Sequence, residues 1–336
     1  MTHHDVVVIG ASAGGVEALR TLVAGLPPEF NAAIMVVLHI PATAPSVLDQ
    51  VLSSAGPLPA SVGRDGERFH SGHIYVPQAD FHLMLRPHQL LRVVRGPREN
   101  RARPSVDVLF RSAARFYAGR VIGVLLSGSL YDGVAGLQVI KVRGGLTVVQ
   151  SDPIFPSMPM TAASQIDIDH SVPIADMAAL LQRLVALPAD EKVVAAHELD
   201  VEDQISEMDP RLMESEQKYE SFARPSHYTC PDCHGTLWQI DDQDVLRFRC
   251  RVGHGFTGES LMAVQNEDLE GVLWTALRAL EEKASLLRQM AERQEQRQHS
   301  ETALRFRQNA DDIAAQAEVL RNVLLHRSLG SGGSEG

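Results

Sequence analysis

The chain of 336 residues carries 31 Lys and Arg against 42 Asp and Glu, a formal charge of −11, and 44% of it is apolar. This supports a sizeable core, with two domains or one domain plus appendages. It excludes a general binder of nucleic acid or anionic membrane, because neutralising phosphate needs a basic face that this balance does not supply.

No basic segment followed by an apolar core opens the chain, and no apolar run approaches the roughly 18 residues of a membrane span. Membrane insertion is not expected; a cytoplasmic location is. From Asp5 to about Leu187 short apolar strands alternate with amphipathic helical patterns, the signature of a parallel sheet covered on both faces. Strands are predicted over Val6–Ile9, Ala33–Leu38, Val121–Leu126 and Leu146–Gln150, and helices starting near Gly14, near Pro45, at Ser105 and near Gly133. Ser105 is placed to cap the third helix, whose Val106, Leu109, Phe110, Ala113 and Tyr117 repeat at helical spacing. Between Ala60 and Val94 the alternating pieces His73–Val76 and Leu90–Val94 predict an antiparallel hairpin extending the sheet edge.

The first strand runs into Gly10-Ala11-Ser12-Ala13-Gly14-Gly15. A strand, a sharp turn of small residues and a helix can hold Ser12 Oγ in the open as a nucleophile, with backbone N–H groups of the helix start beside it. The same turn also suits a phosphate site or a plain βα closure. A dinucleotide site is disfavoured, since the third glycine spacing is missing and no acidic residue follows the second strand near Leu38. The C-termini of parallel strands share one edge, where ligands bind. His39 directly follows the second strand, and Asp132 lies in the Ser127–Gly133 loop after the strand ending at Leu126. Topology therefore converges Ser12, His39 and Asp132 as nucleophile, base and acid, with the Ala13 and Gly14 N–H groups as oxyanion donors.

These blocks, with Val37-Leu38-His39-Ile40-Pro41 and Arg103-Pro104-Ser105-Val106-Asp107-Val108-Leu109-Phe110, resemble in order and spacing the motifs of CheB-type chemotaxis protein-glutamate methylesterases over roughly residues 5 to 187. The resemblance implies a Ser-His-Asp triad at Ser12, His39 and Asp132. It also implies hydrolysis of glutamyl methyl esters on chemoreceptor-type proteins through an acyl-enzyme, with glutamine deamidation as a side activity. Two blocks depart from the pattern. Ser129 stands where the family usually carries a methionine, and Phe155-Pro156-Ser157-Met158-Pro159 differs from the commoner glycine-methionine-proline form. The best-known members carry a receiver domain ahead of the catalytic one; here the chain opens on the catalytic strand, and control by an attached receiver is not expected. Arg98, Arg101 and Arg103 form a basic loop that could steer an acidic substrate surface or simply be solvated. The alternative to an enzyme is a catalytically weak adaptor that binds a chemosensory kinase or methyltransferase through the same fold and the tail. An ordinary small-molecule esterase would be told apart by its substrates.

Asp190 to Glu220 holds eleven acidic residues against three basic ones and few large apolar side chains, which predicts a solvated linker that does not pack. Cys230-x-x-Cys233 and Cys250-x-x-x-His254 then have zinc-ribbon spacing for a closed, structural Cys₃His zinc site. A redox Cys-x-x-Cys is the rival, though it has no need of Cys250 and His254; His227 or His234 could replace His254. Leu269, Leu273, Leu277, Leu280, Ala284, Leu287 and Ala291 trace one apolar stripe, and Ala303, Phe306, Ala310, Ile313, Ala317, Leu320 and Leu324 another. They fall out of phase across Glu292–Thr302, which favours an antiparallel helical hairpin over one long helix, as a regulatory arm or one that forms homo-oligomers. Similar zinc-plus-helix tails resemble those of receiver-less family members. The expected fold class is α/β, a doubly wound mostly parallel sheet with a hairpin extension, then a small zinc-ribbon-like module and an α-helical hairpin. The expected divisions are a catalytic domain (1–188), an acidic linker (189–226), the zinc module (227–260), the helical hairpin (261–327) and a disordered tail (328–336).

Overall fold

The computed structural model describes residues 2–40, 47–129, 131–189, 197–208, 220, 222–240 and 245–330. They divide into two compact units, Met1–Leu261 and Met262–Gly336. Among the described residues no helix is long and apolar enough to cross a membrane.

The first unit is built on β1 (Val6–Ala11), β2 (Ala33–Leu38), β3 (Ala60–Val62), β4 (Ile74–Val76), β7 (Val121–Leu125), β8 (Leu146–Gln150) and β9 (His170–Val172), which form one sheet in the order β3-β4-β2-β1-β7-β8-β9. Every pairing in it is parallel. The β-branched run of β1 explains its central place: side chains alternate between faces, and all six residues are buried. Val7, Ile9 and Ala11 join one apolar layer with Leu19 and Leu22 of α1 (Gly15–Ala24) and Leu181 of α6 (Ile174–Val185). Val6 and Val8 join the opposite layer, with Leu109 and Phe110 of α3 (Val106–Tyr117) and Leu137 of α4 (Val134–Val142). Strand order runs outward from β1 in both directions, so the crevice at its C-terminal end is the topological switch point.

Two expectations about this region need correction. His73–Val76 is not a hairpin arm: Ile74–Val76 is β4, parallel to β2 and β3. The antiparallel pair is instead β5 (His82–Arg86) with β6 (Leu90–Val94), a separate two-stranded sheet. Three-residue strands leave too little periodicity to separate a buried parallel strand from a hairpin arm. The helix start near Pro45 lies outside the described residues; α2 covers Leu48–Ala55. Helix α5 (Ser157–Gln165) completes this part of the chain.

The acidic linker is also corrected. Although residues 190–196 and 209–219 lie outside the described set, His197–Ser206 is a helix, α7, with Val201, Glu202, Asp203, Ile205 and Ser206 buried. Its buried Glu202 and Asp203 face Arg111, Arg115, Arg247 and Arg249, partners that a reading of net charge cannot see. Beyond it, β10 (Ala223–Thr229), β11 (Thr236–Ile240), β12 (Arg247–Cys250) and β13 (Gly255–Thr257) form an antiparallel sheet in chain order.

Helix α8 (Gly258–Gln296) runs from the end of the first unit into the second and is followed by α9 (Ser300–Gly330). In the second unit Leu273, Leu277 and Leu280 pack against Ala317, Leu320 and Leu324, as in an antiparallel hairpin. Ala303, Ala310, Ala317 and Leu324 recur every seven residues and are almost wholly buried, so small side chains line the seam. The expected tail beyond Gly330 lies outside the described residues.

Candidate active site

Register places the first two candidate residues. Ala11 and Leu38 are partners at the ends of β1 and β2, and His39 N–H donates to Ala11 O at 3.1 Å. The next residues, Ser12 and His39, therefore leave the sheet side by side. On the other flank Ser12 N–H donates to Ser127 O at 3.0 Å, which ties the turn to the loop after β7.

Asp132 comes from that loop and is fully buried. His39 Nε2 lies 2.8 Å from Asp132 Oδ2. The carboxylate also accepts from Ser105 Oγ at 2.8 Å, Asn100 Nδ2 at 3.1 Å, and the N–H groups of Val106 at 2.6 Å and Asp107 at 3.3 Å. The last two are orphan donors of the first turn of α3, so Asp132 caps that helix from across the loop and sits at its positive end. The expected local cap is absent, since the Ser105 hydroxyl is turned to Asp132 instead. Gly10 permits this approach: a Cβ there would lie 2.3 Å from Val106 Cγ1.

Burial by itself would raise the Asp132 carboxyl, but the hydrogen bond and charge of His39, with the Val106 and Asn100 donors, hold it below its ordinary value. An ionised carboxylate only accepts, so His39 Nε2 carries the proton in this hydrogen bond. Asp107, buried on the first turn of α3, has the opposite fate: burial and the neighbouring Asp132 charge push it well above its ordinary value. The two neighbouring carboxyl groups are thus driven in opposite directions, Asp132 down and Asp107 up.

The Ala13–Gly14 turn is fixed by Ser127. Its Oγ donates to Ala13 O at 2.9 Å and accepts Phe155 N–H at 3.0 Å. In a trans peptide the C=O and N–H point in opposite directions, so holding the Ala13 carbonyl on Ser127 turns the Gly14 N–H away from it. Gly14 has φ 70°, the left-handed region that glycine enters without strain. Among the described residues neither the Ala13 nor the Gly14 N–H has a protein acceptor. The expected 155–159 loop runs into the first turn of α5, and the segment zips onto this framework through Gly128 N–H to Phe155 O and Met158 N–H to Gly128 O, with Met158 buried and Phe155 exposed.

The three arginines are not equivalent. Arg103 is held by Asp80 Oδ1, at 2.9 Å and 2.7 Å, and by Gly96 O at 2.7 Å, so it braces the loop. Arg98 and Arg101 are exposed. Asn100 and Ser105 complete the shell of Asp132; the sequence marks Ser105 only as a helix cap and Asn100 not at all, because neither a lone Asn among charged residues nor a Ser before a helix signals a contact about thirty positions away.

The second cluster is Cys230, Cys233, Cys250 and His254, whose ligand atoms all lie within 4.8 Å of one another. Cys233 Sγ is 3.6 Å from Cys250 Sγ, and His254 Nδ1 is 3.6 Å from Cys250 Sγ and 3.7 Å from Cys230 Sγ. Ligands about 2.3 Å from a tetrahedral zinc stand roughly 3.7 Å apart, so the donor set and its spacing fit a closed structural zinc site. His254, rather than His227 or His234, completes it.

Residues 7–181 match the CheB methylesterase family. The chain is 35% identical over 185 residues to a Leptospira interrogans protein named for protein-glutamate methylesterase/protein-glutamine glutaminase activity, covering 54% of this chain and 95% of that protein. It is 36% identical over 191 residues to protein-glutamate methylesterase/protein-glutamine glutaminase 1 of Bordetella avium, covering 56% of each. Among solved structures, the Thermotoga maritima CheB methylesterase catalytic domain matches with TM-score 0.52 and 30% identity, over 54% of this chain and 98% of that one.

Proposed function

We propose, for a chain that belongs to the CheB methylesterase family of hydrolases, that it hydrolyses protein glutamyl methyl esters, the activity in the names of its relatives, with chemoreceptor-type helical proteins as its substrates. The observation that carries the reading is the His39–Asp132 contact at the strand edge where Ser12 emerges.

In this mechanism Ser12 Oγ attacks the ester carbonyl while His39 Nδ1 takes its proton. The ionised Asp132 fixes the Nε2–H tautomer and stabilises the imidazolium that forms. The Ala13 and Gly14 N–H groups receive the oxyanion. Collapse expels methanol, protonated by His39, and water attacks the acyl-Ser12 ester with His39 again as base, regenerating serine and glutamate. The same steps release ammonia from a glutamine side chain. Exposed Ile154 and Phe155 on the loop held against Ser127, with Met160 on the first turn of α5, offer an apolar rim, and Arg98 and Arg101 a basic one, for an amphipathic acidic helix.

The Cys230, Cys233, Cys250 and His254 cluster would hold zinc, and bound there the metal supplies fold stability and no open coordination position. The second unit would serve as an assembly arm, with Val272, Trp274, Leu286, Val319 and Val323 exposed along its helices. The test of the activity is methanol release from a methyl-labelled receptor fragment. Wild-type protein releases methanol, and Ser12→Ala lowers the rate by about 10⁴- to 10⁶-fold. Near-normal release by Ser12→Ala, or efficient turnover of small methyl esters alone, contradicts the proposal.

A further inference from the structure

The Cys/His module reaches the candidate active site through one side chain. Asn100 is almost fully buried, and its Nδ2 donates to Asp132 Oδ1 at 3.1 Å and to Asp107 Oδ2 at 2.8 Å. Both amide protons are thereby used. Its Oδ1 accepts Thr257 N–H, from β13 of the module, at 3.0 Å. This network fixes the amide orientation, because the flipped form would set Oδ1 against two carboxyl groups and its NH₂ against a donor.

The backbone repeats the connection. Asn100 N–H donates to Gly255 O at 2.8 Å, and Gly255 N–H to Arg98 O at 3.1 Å, so the segment Arg98–Asn100 pairs with the outer edge of β13. Asn100 has φ 49°, a left-handed conformation that asparagine tolerates better than most residues. Glu99 anchors the same segment from both sides, taking Arg111 of α3 at 2.8 Å and 3.1 Å and Arg249 of β12 at 2.6 Å. Glu202 of α7 also binds Arg249, at 3.1 Å, and pairs with Arg247. The module's knuckle fits this dock closely, since a Cβ on Gly253 would lie 2.6 Å from Pro97 Cγ. His254, a member of the metal-type cluster, immediately precedes Gly255.

We propose that the Cys/His module is a strut for the active site: β13 holds Asn100, and Asn100, a positioning residue, holds Asp132 in register with His39. The proposal rests on the esterase reading only for its kinetic consequence. Asn100 separates two buried carboxyl groups and gives a hydrogen to each, so its removal strips a donor from Asp132 Oδ1, leaves the two groups facing each other unscreened, and lets Asp132 shift off its line to the imidazole. Misplacement of a catalytic group by about 1 Å costs on the order of 10²-fold in rate. A structural role alone would lower stability and leave turnover per folded molecule intact.

The test uses the full chain with Asn100→Gly, which suits the left-handed backbone, Asn100→Asp, which keeps the acceptor for Thr257 N–H but loses the donor, and Cys233→Ser in the module. Two quantities are read. The first is kcat and KM for methanol release per folded molecule. The second, independent of activity, is the downfield proton resonance of His39 Nε2–H, assigned by its loss in His39→Gln. Expected are a fall in kcat of about 10²-fold in Asn100→Gly and Asn100→Asp with KM unchanged, and a shifted or broadened His39 proton. Cys233→Ser moves both in the same direction, and Cys233→Ser/Asn100→Gly loses no more than Asn100→Gly alone. Wild-type kcat and an unmoved proton in Asn100→Gly overturn the role of Asn100. Losses that multiply in the double variant overturn the strut. If wild-type protein releases no methanol, the esterase reading fails, and the His39 proton still decides for or against the placement of Asp132 by Asn100.

Discussion

The parallel-sheet core and the dock of the Cys/His module are held by opposite means. On both faces of β1 the core is apolar and layered, from Val7, Ile9 and Leu22 on one side to Val8, Leu109 and Phe110 on the other. At the dock Arg111, Arg247 and Arg249 are buried against Glu99, Glu202 and Asp203. Apolar contact is non-directional and loses stability in increments as atoms are removed. Charge-assisted pairs are directional, and removing one partner strands another charge out of water. The core therefore supplies stability, while the dock supplies position, and it is the dock that touches Asp132 through Asn100.

The sharpest way to break this division is at the carboxylate the two regions share. Asp132→Asn should lower kcat for methanol release by about 10⁴-fold, because an amide no longer selects the Nε2–H tautomer of His39; a loss below tenfold would show that the carboxylate does not orient the base. Removing one charge from the dock comes next. Glu202→Ala should cost about 3–5 kcal/mol, read as proteolytic release of the module, whereas Leu22→Ala should cost the sheet about 2–5 kcal/mol in global denaturation. If Glu202→Ala leaves the module as protected as wild type, the dock is not electrostatic.

Acid should separate the regions as well. Burial would raise Glu202, but Arg247, Arg111 and Arg249 hold its carboxyl down to about 2 from an ordinary 4.5. A depressed carboxylate contributes stability that is complete above its unfolded value of 4.5 and is lost as pH falls through about 2. Hydrogen exchange should show β12 and β13 losing protection in that window while β1 and β2 remain protected. Loss in a single step with the sheet would contradict the division. The smallest effect marks the opposite limit: the exposed Arg20–Glu17 pair should cost no more than about 0.5 kcal/mol in Arg20→Ala.

The same contrast explains what the sequence reveals. Runs such as Val6–Ile9 and Ala33–Leu38 state their burial in their own composition, and the strand-end positions of Ser12, His39 and Asp132 follow from topology. The spacing of the cysteines encodes the cluster that the fold assembles. The dock is illegible for a physical reason: an acidic helix such as α7 reads as solvated until its arginine partners, which come from α3 and β12, are known. Asn100 is hidden in the same way, because each of its side-chain partners is distant or unremarkable in sequence.

The central claim, that Ser12 and His39 act as one catalytic unit held by Asp132, is tested most directly by comparing kcat for Ser12→Ala, His39→Ala and the double variant. Groups that act as a unit lose almost everything when either is removed, so the double variant should be no slower than the slower single one. Losses that multiply, each residue contributing independently of the other, would contradict the account.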